Sequence, residues 1–196
     1  LNSKQDFIRF RAEADSEALK KKFSDKEIYK KNLPNNSSYK SLYDISEKIR
    51  YELIGSKMLK GISKNFNENY YQKINLKRKD QLKSKEDASV AEAFELYMLK
   101  NFLNIKLNAI SLKILSFWEK DFNESLNKHI NFLQKNIEKQ EVYNSKFSKI
   151  FEEMGIFDSE NNDEENETAE EGNKDENNNN QNQNEEEQEK SKQEEE

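Results

Sequence analysis

The sequence has 196 residues and a net charge of −6, and its charge is unevenly distributed. Residues 158–196 hold 17 of the 39 acidic and 3 of the 33 basic side chains, which leaves 22 acidic and 30 basic side chains in residues 1–157. Cysteine is absent and His129 is the single histidine, which excludes a disulfide framework, a thiolate metal site and a histidine-based metal or catalytic site within the chain.

The apolar residues divide the chain at Phe157. No Val, Ile, Leu, Phe, Tyr or Trp follows it, so the acidic segment cannot bury enough apolar surface to offset the entropy lost on ordering. We predict a helical domain over 1–157 and a disordered acidic linker over 158–196, whose removal should leave the thermal stability almost unchanged. Because the chain starts on a helical pattern and stops within an acidic run, we expect it to be part of a longer protein.

The sequence also limits the environment and the partners of the chain. It has no membrane-span pattern and no signal-peptide pattern, so we expect a cytoplasmic protein that does not bind membranes. Nucleic-acid binding is disfavoured, because the lysines are dispersed, arginines are few and the acidic segment would compete with phosphate. A lysine-rich, solvated surface is the simpler interpretation.

One proline, four glycines and the lack of sustained period-two alternation favour an all-α fold, for which we predict six or seven helices. Asp25 is the predicted N-cap of a short helix that reaches Ile28, and the segment 32–38 is a predicted loop. The first helix precedes them, and it is predicted to bury an apolar stripe of Phe7, Phe10, Ala14, Ala18 and Leu19.

An amphipathic helix is predicted over 42–54. Its apolar face has residues at spacings of three and four, namely Leu42, Ile45, Ile49 and Leu53. Its other face is predicted to expose three pairs of opposite charge one turn apart, namely Asp44 with Lys48, Glu47 with Arg50, and Lys48 with Glu52. Gly55 and Gly61 follow, so the sequence predicts a glycine C-cap and a turn after this helix.

Three more helical patterns and a polar loop complete the predicted domain. The segment 61–83 begins with the apolar residues Ile62, Phe66, Tyr70 and Ile74 and ends in the loop. The next helix has Asp87 as its predicted cap and buries Val90, Ala93, Phe94, Tyr97, Met98 and Phe102. A helix from Ile110 to about Ile137 is predicted to break near 121–123. The last helix buries Tyr143, Phe147, Ile150, Phe151 and Met154, and Gly155 ends it in the C′ position.

Few residues are suited to chemistry. His129 has Phe122, Leu126 and Leu133 at helical spacing, which indicates a residue at the edge of the core, and Trp118 is predicted to be a core residue. The sequence contains neither G-x-x-x-x-G-K nor G-x-G-x-x-G, the loops that hold phosphates. We therefore predict no catalytic, cofactor-binding or metal-binding residue, and no enzymatic activity for the chain alone.

Four blocks of sequence resemble the N-terminal helical region of the CobT subunit of aerobic cobaltochelatase. They are residues 11–19 (RAEADSEAL), the segment 42–62, residues 85–93 (KEDASVAEA) and the surroundings of Trp118. The second block has seven residues at the spacing of the family, namely Asp44, Glu47, Arg50, Glu52, Gly55, Met58 and Gly61. The resemblance covers 9–157, and the acidic segment directly after the last helix also agrees with the family. The sequence departs from the family at three places. Ser24 stands where a His-Asp pair is usual, Leu99-Lys100 replaces an Arg-Glu pair, and Lys120 replaces the proline that follows the tryptophan.

The resemblance implies a chaperone-like subunit of the ATP-dependent enzyme that inserts cobalt into the corrin ring, hydrogenobyrinic acid a,c-diamide, in cobalamin biosynthesis. The implied partners are an AAA+ ATPase subunit of the CobS type and a large corrin-binding subunit of the CobN type. ATP and Mg²⁺ belong to those partners, and cobalt is the substrate. A von Willebrand A-type domain with a Mg²⁺ site would begin beyond Glu196.

We expect the AAA+ subunit to dock on the seven residues of the second block, where exposed charges and a glycine-permitted turn would offer a recognisable shape. An alternative hypothesis, from a different class of protein, is an acidic-tailed interaction protein that binds basic partners through 158–196.

Overall fold

The computed structural model describes residues 3–75, 84–85 and 87–157. These residues form nine α-helices and no strand, which confirms the all-α prediction. The helices are α1 (Lys4–Phe23), α2 (Lys26–Lys31), α3 (Lys40–Met58), α4 (Lys60–Asn75), α5 (Val90–Phe102), α6 (Ala109–Ser116), α7 (Glu119–Leu126), α8 (Ile130–Lys135) and α9 (Gln140–Met154). Two 3₁₀ turns, Ser37–Tyr39 and Asn127–His129, precede α3 and α8.

The chain divides into a compact unit that ends at Gly155 and a second unit, Ile156–Glu196. Of the second unit only Ile156 and Phe157 are described, and they form a turn. The predicted acidic linker over 158–196 lies outside the described residues, as does most of the loop predicted at the end of 61–83. The domain boundary at residue 157 therefore stays a prediction.

Helix α3 is the central helix of the compact unit. It contacts α1, α4, α5 and α9, and every residue from Ile49 to Gly55 is buried. The amphipathic helix predicted over 42–54 is thus a core helix with buried residues around most of its circumference. The predicted C-cap at Gly55 is wrong, because α3 continues to Met58 and the chain becomes extended at Leu59.

Helix α1 packs on α3 and α4 through a face that the sequence did not indicate. Its buried residues are Ala12, Ser16 and Leu19. The predicted stripe is wrong at every position except Leu19, since Phe7 is 48% exposed, Phe10 is 59% exposed, and Ala14 and Ala18 lie on the surface. Two of the buried residues are small, and the third, Leu19, packs against Gly55 of α3.

An aromatic cluster from three helices fills the other side of the core. Phe94 of α5 packs edge-on against Phe122 of α7, with ring centroids 5.5 Å apart, and against Phe151 of α9, with centroids 5.7 Å apart. Phe147 lies between Phe151 and Tyr143 at 5.5 and 4.9 Å. Phe94, Tyr143, Phe147 and Phe151 were predicted to be buried, and that prediction is confirmed. Tilted and edge-on rings stabilise such a cluster beyond the area they bury.

The helix ends were predicted with mixed success. Asp25 caps α2 by accepting hydrogen bonds from the backbone N–H groups of Glu27 and Ile28, at 2.8 and 3.1 Å. Gly155 ends α9 in the left-handed conformation, with φ of 64°. Both predictions are confirmed. Asp87, however, does not cap α5, because that helix begins at Val90 and Ser89 is in the N-cap position.

The helix predicted from Ile110 to Ile137 is three shorter helices, α6, α7 and α8, and this raises the number of helices above the six or seven expected. The breaks lie at 117–118 and 127–129, not at 121–123. At the first break the indole N–H of half-buried Trp118 donates to the carbonyl of Ala88 at 2.9 Å, and Lys85 lies 3.9 Å from the ring centroid. These contacts hold Trp118 between two helices, although the helical spacing of apolar residues continues through this point of the sequence.

Candidate functional site

The seven residues of the second block do not form one exposed surface. Asp44, Met58 and Gly61 are exposed, and Gly55 is buried. The expectation of exposed charges is wrong for three of the four charged positions. Glu47 is 4% exposed, and Arg50 and Glu52 are each 1% exposed. A buried charge must be paired or hydrogen-bonded to be tolerated, so the partners of these three side chains explain their positions.

Arg50 and Glu47 form a buried ion pair one turn apart on α3. The Nε and Nη2 atoms of Arg50 each lie 2.8 Å from a carboxylate oxygen of Glu47. The guanidinium also donates to the backbone carbonyls of Ile137, at 3.1 Å, and of Phe23. Ser24 completes the group by donating its hydroxyl to Glu47 at 2.6 Å. The predicted pairing is confirmed, and its contacts join α3 to the end of α1 and to the segment before α9.

A second set of contacts holds the start of α9 in the same region. The side-chain amide of Gln140 accepts from the backbone N–H of Asp25 at 2.7 Å and donates to its carbonyl at 3.0 Å. The buried hydroxyl of Tyr143 donates to the carbonyl of Ser46 at 3.1 Å, and burial together with the nearby Glu47 raises the pKa of Tyr143. The corner between α1 and α2 is therefore tied to both α3 and α9.

Glu52 joins three helices through its carboxyl group. Ser16 of α1 donates to one oxygen at 2.7 Å, and Tyr70 of α4 donates to the other at 2.6 Å. Lys48, whose side chain is partly exposed, lies 3.9 Å away. Burial raises the pKa of Glu52, against the opposing effects of Lys48, Ser16 and Tyr70. Burial and the neighbouring Glu52 likewise raise the pKa of Tyr70.

Asp44 lies at the other end of α3, on the surface. It accepts a hydrogen bond from the hydroxyl of Tyr29 and pairs with Lys40 at 2.8 Å. The predicted partner was Lys48, which lies nearer to Glu52. Burial, and then the contact with Asp44, raises the pKa of Tyr29. Asp44 therefore holds α2 against the start of α3.

A cleft of about 730 Å³ lies between α1 and α2 on one side and α3 and α4 on the other. Asp44, Glu47, Tyr51 and Glu52 contribute to its lining, together with lysines of α1, α2 and α3. The carboxylates of Asp44, Glu47 and Glu52 are all engaged by the partners described above. In the described ranges, no group of three or more histidine or carboxylate side chains is placed to hold a metal ion. The three carboxylates thus join helices of this cleft to one another or to neighbouring segments.

Sequence reasoning missed Ser16 and Tyr70, the partners of Glu52. Ser16 lies in the first resembling block, between two residues that were predicted to be buried, and its polar character concealed its burial. Tyr70 was predicted to be buried, but its bond to Glu52 was not. His129 is half-buried, as expected for a residue at the edge of the core. Partial burial, and then the positive charges of Lys146 and Lys128, lower its pKa.

These features define an all-α domain that uses its buried charged residues to join its own helices. The family model of cobalamin biosynthesis protein CobT matches residues 2–196. The chain therefore belongs to the CobT family, which confirms the resemblance and gives it a role in cobalamin biosynthesis. No solved structure matches the chain. None of the helices in the described part is both long enough and apolar enough to cross a membrane.

Proposed function

We propose that the chain is a non-catalytic, chaperone-like subunit of the ATP-dependent cobaltochelatase, the enzyme that inserts cobalt into the corrin ring. In this proposal it docks with the AAA+ ATPase subunit of the CobS type, and the two act on the large corrin-binding subunit of the CobN type. ATP and Mg²⁺ are used by the partners, and cobalt is the substrate of the complex. The observation that carries the proposal is the family match over residues 2–196.

The arrangement of charged side chains supports a structural role for this domain. Arg50 is bound by one carboxylate and two backbone carbonyls, and Glu52 is bound by two hydroxyl groups. Side chains that are engaged in this way hold helices in place and are not poised for acid–base or nucleophilic work, which needs a group within reach of a substrate. In the complex, catalysis then belongs to the partners.

Four of the seven candidate residues are buried, which leaves Asp44, Met58 and Gly61 exposed and available to a partner. Asp44 and Met58 are separated by about 21 Å along the helix axis, at the rise of about 1.5 Å per residue. They do not belong to one small patch. Met58 and Gly61 lie near each other at the junction of α3 and α4, whereas Asp44 is already paired with Lys40 and Tyr29. We therefore place the docking surface at the junction.

Co-purification with a tagged AAA+ chelatase subunit tests the proposal. We expect the chain to be retained by the AAA+ subunit, and to show neither ATP hydrolysis nor cobalt insertion when it is alone. A full-length homologue from the same family serves as the positive control. If the homologue is retained and this chain is not, docking lies outside these 196 residues and the proposed role of the domain is wrong. Arg50→Glu is unsuitable as a docking variant because Arg50 is buried.

A further inference from the structure

The junction of α3 and α4 is both apolar and positively charged. Met58 and Leu59 are adjacent in the sequence and are 55% and 57% exposed. Contiguous exposed apolar surface marks interaction sites, whereas single exposed apolar residues are normal. The residues from 53 to 67 include Lys57, Lys60 and Lys64 and no acidic residue. Lys64 pairs with Glu68 at 3.7 Å. An exposed apolar pair is thus surrounded by lysines.

The described residues give no structural reason for a glycine at position 61. A β-carbon at this position would meet no atom within 4 Å, and its φ is not positive. Glycine weakens a helix relative to alanine, so Gly61 does not stabilise α4. A bare backbone does, however, let a second chain approach closely.

A cavity of about 340 Å³ opens beside this surface. Five of its eleven lining residues are apolar, among them Leu53, Phe66 and Ile105, and the other six are polar or charged. Lys57 is the lining residue that belongs to residues 57–61. Ser56 also lines it, and the Ser56 hydroxyl oxygen is buried without a hydrogen-bond partner in the described part of the chain. Buried polar atoms normally have partners. The cavity therefore has room for an apolar side chain and an unused hydroxyl for a polar group.

We propose that residues 57–61 and this cavity, together called the junction surface, dock an acidic segment of a partner protein that carries apolar anchor residues. An anchor fills the cavity beside Met58 and Leu59, the partner backbone passes over Gly61, and the carboxylates face Lys57 and Lys60. This inference rests on the proposed docking function and gives the chemistry of the segment that is recognised.

Charge selects this occupant over the alternatives. A second copy of the chain would bring the same lysines against each other, and like charges disfavour such a contact. Nucleic acid would satisfy the lysines and leave Met58 and Leu59 without an apolar partner. The acidic residues 158–196 provide charge and no Val, Ile, Leu, Phe, Tyr or Trp as an anchor. An acidic and apolar segment of another protein fits both features.

Two fluorescent peptides of about 20 residues, long enough to form helices, test the proposal with the full chain. Both carry the same leucine stripe, and their other positions are glutamate in one and glutamine in the other, because a lysine peptide would bind the acidic residues 158–196. Fluorescence anisotropy should show the acidic peptide binding at least about tenfold more tightly. Met58→Asp should weaken its binding about tenfold or more. Tyr71→Asp is the matched control, because Tyr71 is 65% exposed on α4 and lies about 15 Å along the axis from Gly61.

A charge reversal makes the test specific. The variant Lys57→Glu/Lys60→Glu should lose the preference for the glutamate peptide, while circular dichroism shows an unchanged helix content. Equal binding of the two peptides, equal effects at Met58 and Tyr71, or tighter binding of an oligonucleotide would each overturn the proposal. Retention of Met58→Asp by the AAA+ subunit with unchanged affinity would overturn the junction surface and leave the docking function standing. Failure of the unaltered chain to be retained would overturn the docking function, whereas the peptides still decide what the junction surface binds.

Discussion

Gly55 lies against Leu19 so closely that a β-carbon at residue 55 would come 2.4 Å from Cδ1 and 2.6 Å from Cδ2 of the leucine. Both residues are buried, one on α3 and the other on α1. The glycine sits inside α3, where glycine is otherwise unfavourable. Gly55 is therefore a packing residue that lets α1 approach α3, and it does not end the helix.

Replacement of Gly55 by alanine should lower the free energy of unfolding by about 1–2 kcal/mol. Overpacking against Leu19 costs about 1–3 kcal/mol, and the better helix propensity of alanine returns up to about 1 kcal/mol. Urea denaturation measures the difference. Gly61→Ala is the matched control and should be neutral or stabilising, because the space around Gly61 is open. Equal effects at the two glycines would contradict the close approach of α1.

Arg50→Ala should lower the free energy of unfolding by about 3–5 kcal/mol, since it leaves the buried carboxylate of Glu47 without its ion partner. Arg9→Ala provides a comparison on the surface. Arg9 pairs with Asp6 at 3.3 Å, but its side chain is mostly exposed, and such pairs contribute about 1 kcal/mol or less. Chemical denaturation of both variants would refute a structural role for Arg50 if the two losses were similar.

Glu52→Gln should change how stability depends on pH. Burial raises the pKa of Glu52 above its ordinary value of 4.5, so the folded chain keeps this proton to a higher pH than the unfolded chain does. The resulting stabilisation is full below pH 4.5 and is lost as the pH rises through the pKa of the folded state. The unaltered chain should therefore lose stability relative to Glu52→Gln as the pH rises.

Denaturation of both proteins across this pH range gives the difference directly, because their other titrating groups cancel. A difference that grows in favour of the unaltered chain at higher pH would contradict the expected sign. It would mean that Ser16, Tyr70 and Lys48 stabilise the carboxylate by more than burial destabilises it.

Phe147→Ala should cost about 3–5 kcal/mol of unfolding free energy, because the ring is fully buried among Phe94, Phe151 and Tyr143. Val142→Ala, at a partly exposed position on the same helix, should cost much less. Thermal or urea unfolding distinguishes the two variants. A loss below about 1 kcal/mol for Phe147→Ala would mean that α9 is not anchored by its aromatic residues.

Periodicity predicted the helices whose buried residues are large. On α5 and α9, Phe94, Tyr97, Phe147 and Phe151 recur at helical spacing and all face the core. The same reasoning was wrong for α1, because hydrophobicity pointed to Phe7 and Phe10, whereas the buried face consists of Ala12, Ser16 and Leu19. The spacing of apolar residues along a sequence does not specify how closely two helices approach each other.

The candidate site was predicted only in part for a related reason. Spacing along α3 identified the Glu47–Arg50 pair correctly, since the two residues lie one turn apart. It did not reveal that the pair is buried, because the groups that compensate for burial come from distant parts of the sequence. Ile137 and Phe23 accept from Arg50, and Ser24 donates to Glu47. Such partners follow from the tertiary fold and not from local spacing.

The decisive measurement is the affinity of the AAA+ chelatase subunit for Met58→Asp and for Arg50→Met, at a temperature where both variants are folded. We expect Met58→Asp to lose about tenfold or more in affinity and to keep the melting temperature of the unaltered chain. We expect Arg50→Met to melt at a lower temperature, because buried Glu47 loses its ion partner, and to bind with unchanged affinity. A folded Arg50→Met that no longer binds, beside a Met58→Asp that binds normally, would contradict docking at the junction surface and place it at the cleft between α1 and α3.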